Sequence, residues 1–370
     1  MAKIKNFYAG SNSSQGFYSL YDHAIKDLER LYILKGGPGT GKSTFMRKIG
    51  LVMMEKGYDL EYLHCSSDNK SLDGIIIPEF KVGIVDGTAP HVIEPKYPGV
   101  VEKVVDLGAY RNDAFLAQYK NIIISLTKDI ETNFNAAYST MQEAKKVHLK
   151  REEIYLRSMS FEKADHVTQD LIRSIFHTPF TKEENPSITK RFFGAATPKG
   201  AVNFIDNITE DVTRRYIIKG RPGSGKSTLM KKIGAYAEDN SLSVEYYPCA
   251  FDPKSIDMVI IPSLSVAIMD GTAPHVVDPY RLNDVVVDMF TLCMDTSVEE
   301  VHSEEITELN TAYKNKMTLA TNFLSEAKRL HDRLEDFYMQ AMDFEKVDIK
   351  REEVLEDILY IATVKNNQSK

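Results

Sequence analysis

The chain has 370 residues, of which 43% are apolar or aromatic and 27% charged, and it carries a formal net charge of −7. This size exceeds one ordinary core and fits two domains, the composition excludes a disordered chain, and the acidic balance leaves nucleic-acid binding unindicated. No stretch reaches the roughly 18 uncharged apolar residues of a membrane span, the start MAKIKNFYAGSNSS lacks a secretory core, and Cys65, Cys249 and Cys293 have no CxxC spacing, so a soluble cytoplasmic protein without disulfide framework or zinc site is expected.

In chain order, the apolar run LYILK (Leu31 to Lys35) ends at the glycine-rich stretch GGPGTGKST, Gly36 to Thr44. Short β-rich runs stopped by glycine predict buried parallel strands. The helix KSTFMRKIGLVMMEKG follows and stops at Gly57, a left-handed cap. LEYLHC and KVGIVDGTAPH predict a second and a third strand, the third ending at Asp86. From Asn112 to Thr178 there is neither glycine nor proline, and Ile123, Leu126, Ile130, Phe134, Ala137, Met141 and Ala144 recur at steps of three and four, the spacing of a helix. Such an arm forms one very long helix or two packed antiparallel, either as a layer covering the sheet or as a projecting coiled-coil-like element.

The same series then returns as YIIK, GRPGSGKST (Gly220 to Thr228), VEYYPC, SVAIMDGTAPH and a run free of glycine and proline after Pro279. One offset of 184 relates Lys42 to Lys226, Cys65 to Cys249, Asp68 to Asp252, Asp86 to Asp270 and His91 to His275. AKKVHLKREEIYLRSMSFEKAD from Ala144 aligns with AKRLHDRLEDFYMQAMDFEKVD from Ala327 at an offset of 183. The chain is a duplication of domain-sized units. Their expected bounds are 1–185, with an arm over about 112–178, and 186–370, with an arm over about 281–365, joined near TPFTKEENPSITK. Strands alternating with helices predict an α/β fold with a parallel sheet in each half. RFFGAAT, ahead of the second loop, is expected to complete one of the sheets.

A loop of the form G-x-x-x-x-G-K-[ST] between strand and helix has a definite task. Its glycines let successive N–H groups point inward at phosphate oxygens, and the helix N-terminus adds partial positive charge. The cradle residues are Gly36, Gly37, Gly39, Thr40, Gly41, Lys42, Ser43 and Thr44 in the first half, and Gly220, Arg221, Gly223, Ser224, Gly225, Lys226, Ser227 and Thr228 in the second. Lys42 and Lys226 reach the β- and γ-phosphates, while Ser43 and Ser227 ligate magnesium.

On these motifs both halves resemble P-loop NTPase domains, with GGPGTGKS and GRPGSGKS as Walker A motifs. VGIVD and VAIMD resemble Walker B, which implies that Asp86 and Asp270 orient the hydration shell of Mg²⁺. The whole chain is also similar to an uncharacterised bacterial family of tandem P-loop proteins labelled as ATPases. Glycine follows each aspartate (Gly87, Gly271) where many ATPase motors place a catalytic glutamate, and no LSGGQ-like signature or N-K-x-D guanine reader is present. ATP is expected over GTP.

Asp68 and Asp252 stand just past the second strands; the resemblance to P-loop kinases implies a catalytic base there, while turn chemistry implies a loop or capping carboxylate. Glu94 and Asp278 each precede a proline and read as water-positioning groups or turn residues. His91 and His275 are γ-phosphate sensors or structural histidines, Cys65 and Cys249, ending apolar strands, are expected as small buried residues over nucleophiles, and Arg221 contacts phosphate or reaches the other half. The expected function is an ATP-binding, Mg-dependent NTPase whose hydrolysis moves the halves and, through the arms, an unknown protein partner. A nucleotide or small-metabolite kinase and a non-hydrolysing scaffold stabilised by ATP are the alternatives.

Overall fold

The computed structural model describes residues 2–368. The first half runs β1 (Ile4–Phe7), β2 (Gly10–Ser13), β3 (Gly16–Ser19), α1 (Tyr21–Ala24), β4 (Arg30–Lys35), α2 (Lys42–Glu55), β5 (Leu60–His64), β6 (Leu72–Ile77), β7 (Val82–Asp86) and β8 (Glu102–Asp106). The helices α3 (Asp113–Ala117), α4 (Lys120–Leu156) and α5 (Phe161–Ile175) follow. The second half repeats this as β9 (Ile188–Lys190), β10 (Gly194–Thr197), β11 (Gly200–Asn203), α6 (Ile205–Ile208), β12 (Arg214–Lys219), α7 (Lys226–Asp239), β13 (Val244–Pro248), β14 (Ile256–Ile261), β15 (Val266–Asp270) and β16 (Val285–Asp288). It ends with α8 (Met289–Cys293), α9 (Val298–Val301), α10 (Ser303–Ala341) and α11 (Phe344–Gln368).

Each half folds as α/β around a six-stranded sheet, ordered β1-β5-β6-β7-β4-β8 and β9-β13-β14-β15-β12-β16. The expected parallel sheet is corrected in one respect, because β6 and β14 run antiparallel to both neighbours. Parallel neighbours need a crossover of a dozen or so residues, whereas antiparallel ones need only a turn. The turn is the tight helix Pro78–Phe80 with Lys81 left-handed at φ 53°, repeated by Pro262–Leu264 with Ser265 at φ 53°. β4 sits between β7 and β8, and Tyr32, Ile33 and Leu34 within it are buried on both faces, as a continuous apolar run requires.

RFFGAAT completes neither sheet. Gly194–Thr197 pairs instead with β11 as a hairpin, and β9 takes the edge beside β13. β2 and β3 form the matching hairpin of the first half. The hairpins meet where the halves join: Asn12 Nδ2 donates to the Ala196 carbonyl at 2.9 Å, and Tyr8 and Phe192 exchange backbone hydrogen bonds of 2.9 Å each.

The arms pair with each other, not within themselves. α4 and α10 lie antiparallel, with Leu126 and Ile130 against Leu330 and Leu334, and Ala137 and Met141 against Ala320 and Leu324. The four alanines Ala137, Ala144, Ala320 and Ala327 are fully buried, which is where small side chains admit close helix approach. Beyond this rod each arm ends on the opposite half. α5, started by Ser160 accepting from the Lys163 amide, places Leu171, Ile172 and Ile175 against Met230 and Ile233 of α7. α11 places Val347, Val354, Leu355 and Ile358 against Phe45, Met46 and Ile49 of α2. Full burial of such a side chain contributes about 1.5–3 kcal/mol, so each sheet takes a substantial part of its core from the other half. A helical layer does cover each sheet, but it is the layer of its neighbour. Among the described residues no helix is long and apolar enough to cross a membrane.

Candidate functional site

The two glycine-rich loops leave the C-terminal ends of β4 and β12 and enter α2 and α7 directly. Gly39 and Gly223 lie in the left-handed region at φ 68° and 77°. A Cβ there would stand 2.8 Å from the Glu335 carbonyl or 2.9 Å from that of Glu152, so glycine is required both by the turn and by the exchanged helix above it. Gly41 and Gly225 are the N-caps of α2 and α7, which leaves the first helical N–H groups facing the loop.

The loop lysines occupy matching positions. Lys42 Nζ donates to the carbonyls of Gly36 (3.0 Å) and Gly37 (2.8 Å) and stands 3.6 Å from Asp86 Oδ2. Lys226 Nζ donates to Gly220 (3.4 Å) and Arg221 (3.0 Å) and stands 3.6 Å from Asp270 Oδ2. The aspartates arrive there because β7 and β15 pair in parallel beside the loop strands, with Leu34 opposite Asp86 and Ile218 opposite Asp270. Thr88 and Thr272 fix each carboxylate through an amide at 2.9 Å and a hydroxyl at 2.6 Å. Ser43 and Ser227 accept from the amides of Leu72 and Ile256, both at 2.9 Å, which orients their hydroxyls beside the lysines. Thr40 donates to the Gly37 carbonyl, Ser224 Oγ is buried without a partner, and Thr44 and Thr228 line the clefts.

Sequence reasoning missed one pair of residues. Asp73 and Asp257 lie at the same offset of 184, as the lone carboxylates within the apolar runs LDGIII and IDMVII of β6 and β14. An acid repeated inside an apolar strand was the available signal. Burial raises the Asp73 carboxyl, opposed by His91 and reinforced by Asp86. Burial and then Asp270 push Asp257 up to about 7. Asp73, Asp86 and His91 bring ligand atoms within 4.8 Å of one another. His91 stacks on Tyr21 at 4.7 Å and neither ring nitrogen has a hydrogen-bond partner. His275 meets Phe193 edge-on at 5.0 Å, and burial lowers it to about 4.

Asp68 and Asp252 reach the clefts, each tied to a lysine of the exchanged arms. Asp68 accepts from the Lys70 amide (2.9 Å) and the Ser71 hydroxyl (3.0 Å) and lies 3.3 Å from Lys328 Nζ. Burial pushes its carboxyl up, but the Lys70 amide, Lys328 and Ser71 outweigh it and hold the group below its ordinary value. Asp252 accepts from Lys145 Nζ at 2.6 Å. Glu94 and Asp278 line neither cleft and hold Lys35 and Lys219 instead, at 2.6 and 3.0 Å. Arg221 turns to Glu299 of its own half (2.5 and 3.2 Å) and lies over the Phe290 ring. Burial raises the Cys65 and Cys249 thiols well above their usual range, so both are poor nucleophiles at neutral pH.

The clefts enclose about 1080 Å³ in the first half and about 1040 Å³ in the second. Their floors come from the loop and strand ends of one half, their roofs from α4 and α10 together. α4 passes over the first loop's cleft at Ile130 and Phe134 and over the second at His148 and Glu152; α10 does the reverse, with Tyr313 and Met317 in the second cleft and His331 and Glu335 in the first. Comparison of the chain with family models, curated proteins and solved structures returns no match.

Proposed function

We propose that the protein is a Mg-dependent P-loop NTPase that binds ATP in two sites and couples them through the α4–α10 pair. The observation that carries this reading is the preformed cradle: in both copies a loop lysine is held by loop carbonyls 3.6 Å from the strand-end aspartate. A cation so placed, with helix N–H groups behind it, suits a triphosphate. Magnesium fits the donor set, since Ser43 and Asp86, and Ser227 and Asp270, offer the hard oxygens that this ion selects. When bound, the ion would neutralise charge on the β- and γ-phosphates. Asp73 and Asp257, buried and raised, stand as proton acceptors beside that centre. Because each roof belongs to both halves, closing one cleft on nucleotide displaces the same two helices that cover the other.

Phosphoryl transfer to a second molecule is the other reading. It is favoured by Asp68 and Asp252, which line the clefts just past the second strands, where a proton acceptor for an attacking hydroxyl would stand. The test is nucleotide binding by the double variant Lys42→Ala, Lys226→Ala. Loss of ATP affinity is expected, and retained affinity refutes the cradle. ADP release that requires an added acceptor separates the kinase from the NTPase.

A further inference from the structure

We propose that the second cleft holds, beyond its cradle, an anion subsite for a small phosphorylated molecule, centred on Arg151 and absent from the first cleft. The proposal rests on the nucleotide reading of the loops, since it places this molecule beside a bound nucleotide.

Arg151 of α4 lines the second cleft, and among the described residues no carboxylate pairs with it. Its held partners are neutral: Nη1 donates to Asn310 Oδ1 at 2.5 Å and Nη2 to His148 Nδ1 at 3.0 Å, while the guanidinium lies 5.3 Å from the centre of the Tyr313 ring. A partly buried cation without a counter-ion is costly unless a ligand supplies the charge. Lys314 adds an exposed ammonium to the same wall. Burial, Arg151 and Lys145 together lower His148 to about 4, so its imidazole is neutral at pH 7.

The duplication provides the internal control. At the offset of 183 the first cleft has Leu334 for Arg151, Ile130 for Tyr313 and Glu131 for Lys314. Leu334 and Ile130 pack against each other there as an apolar cluster. A wall needed only to cover the sheet would serve equally in either form, so the polar version points to a ligand.

Position separates this molecule from the nucleotide's own base. Met159, Phe161 and Ala164 line the second cleft beside the start of α7, with Met159 close to Gly225. Arg151 lies over Tyr313, which packs edge-on against Phe251 at 5.8 Å, next to Asp252 past the C-terminal end of β13. The carboxyl ends of the strands are where open α/β sheets take their ligands, so on the nucleotide reading Arg151 stands toward the transferable phosphate. Two cations with a neutral histidine donor suit a phosphomonoester dianion.

The experiment is equilibrium dialysis of the full chain against radiolabelled inorganic phosphate, with Mg²⁺ and a non-hydrolysable ATP analogue filling both cradles. Wild type is expected to hold one phosphate per chain. Arg151→Leu and the exposed Lys314→Glu, which install the first cleft's residues, are expected to weaken it by at least about tenfold while leaving analogue affinity unchanged. No bound phosphate, or affinity unmoved in both variants, overturns the proposal, and acetate binding equal to phosphate overturns its phosphate assignment. Failure of the analogue to bind sinks the nucleotide reading instead. In that event the double variant Lys42→Ala, Lys226→Ala, whose loops lack their cations, is dialysed against phosphate alone, and the same dependence on Arg151 is required.

Discussion

The two clefts have floors that match and roofs that do not. Below, Lys42 and Lys226 stand 3.6 Å from Asp86 and Asp270, and the serine and threonine contacts repeat to within 0.1 Å. Above, an apolar and acidic set of Ile130, Glu131 and Leu334 lines one cleft, and Tyr313, Lys314 and Arg151 line the other. The roofs have equal duties toward the fold, since each closes a sheet and pairs with the same partner helix. On the proposed reading, the divergence of the roofs belongs to what each cleft would hold, and the likeness of the floors to what both would do.

The comparison breaks first at the lysines. Lys42→Ala and Lys226→Ala, made singly, are each expected to weaken ATP at the altered cleft by roughly a hundredfold or more, given about 1.5–3 kcal/mol for each charged hydrogen bond lost. Calorimetric titration should then show one tight site where wild type shows two; two tight sites in either variant would mean that its floor does not bind nucleotide. Next is the exchange itself. Ile358→Ala removes a fully buried side chain of α11 from the core beneath the first loop, and should lower stability by about 2–5 kcal/mol in chemical denaturation. An unchanged denaturation midpoint would show that α11 does not complete that core.

A pH test is more local. Burial and neighbouring cations hold His148 at about 4, below its ordinary 6.5. The folded value is the lower one, so its contribution to stability is present above pH 6.5 and is lost as the pH falls through about 4. At most about 3 kcal/mol is involved. Nuclear magnetic resonance should find the ring neutral at pH 7 and its titration moved upward by phosphate; a ring titrating at its ordinary value would show that burial and Arg151 do not hold it neutral. The smallest effect belongs to Arg221→Gly, which gives the second loop the residue of the first. Arg221 and Glu299 are well exposed, so the pair is worth under about 1 kcal/mol, and a large loss of nucleotide affinity would show that Arg221 leaves Glu299 to bind phosphate.

Much of the floor was legible because its chemistry is local. A lysine directly after a left-handed glycine and an aspartate at the end of an apolar run are set by neighbours in the chain, and both stand at the ends of the elements that spacing marks. The reversal of β6 was not legible, since PEF and PSL are short turns that only the sheet order reveals. Asp73 lies in LDGIII, a run that sequence reasoning did not single out as a strand, although its repetition as Asp257 was visible. RFFGAAT has strand-forming residues but lies at the join between halves, where tertiary contacts decided its partner. The arms show the limit most directly. Periodicity identifies an apolar stripe on α4 without naming the surface it meets, and because both halves carry the same stripe, folding back and crossing over look alike in sequence.

The crossing of α5 and α11 onto opposite sheets also bears on descent. A solitary half would have to turn its last helix back onto its own sheet or trade it with a second identical copy, and the present chain trades. Joining two such copies in one chain makes that exchange intramolecular. In such a pair of identical copies, any change in one roof is forced on the other. Joined end to end, the copies are released from that bond, and Arg151 and Leu334 record the freedom that followed.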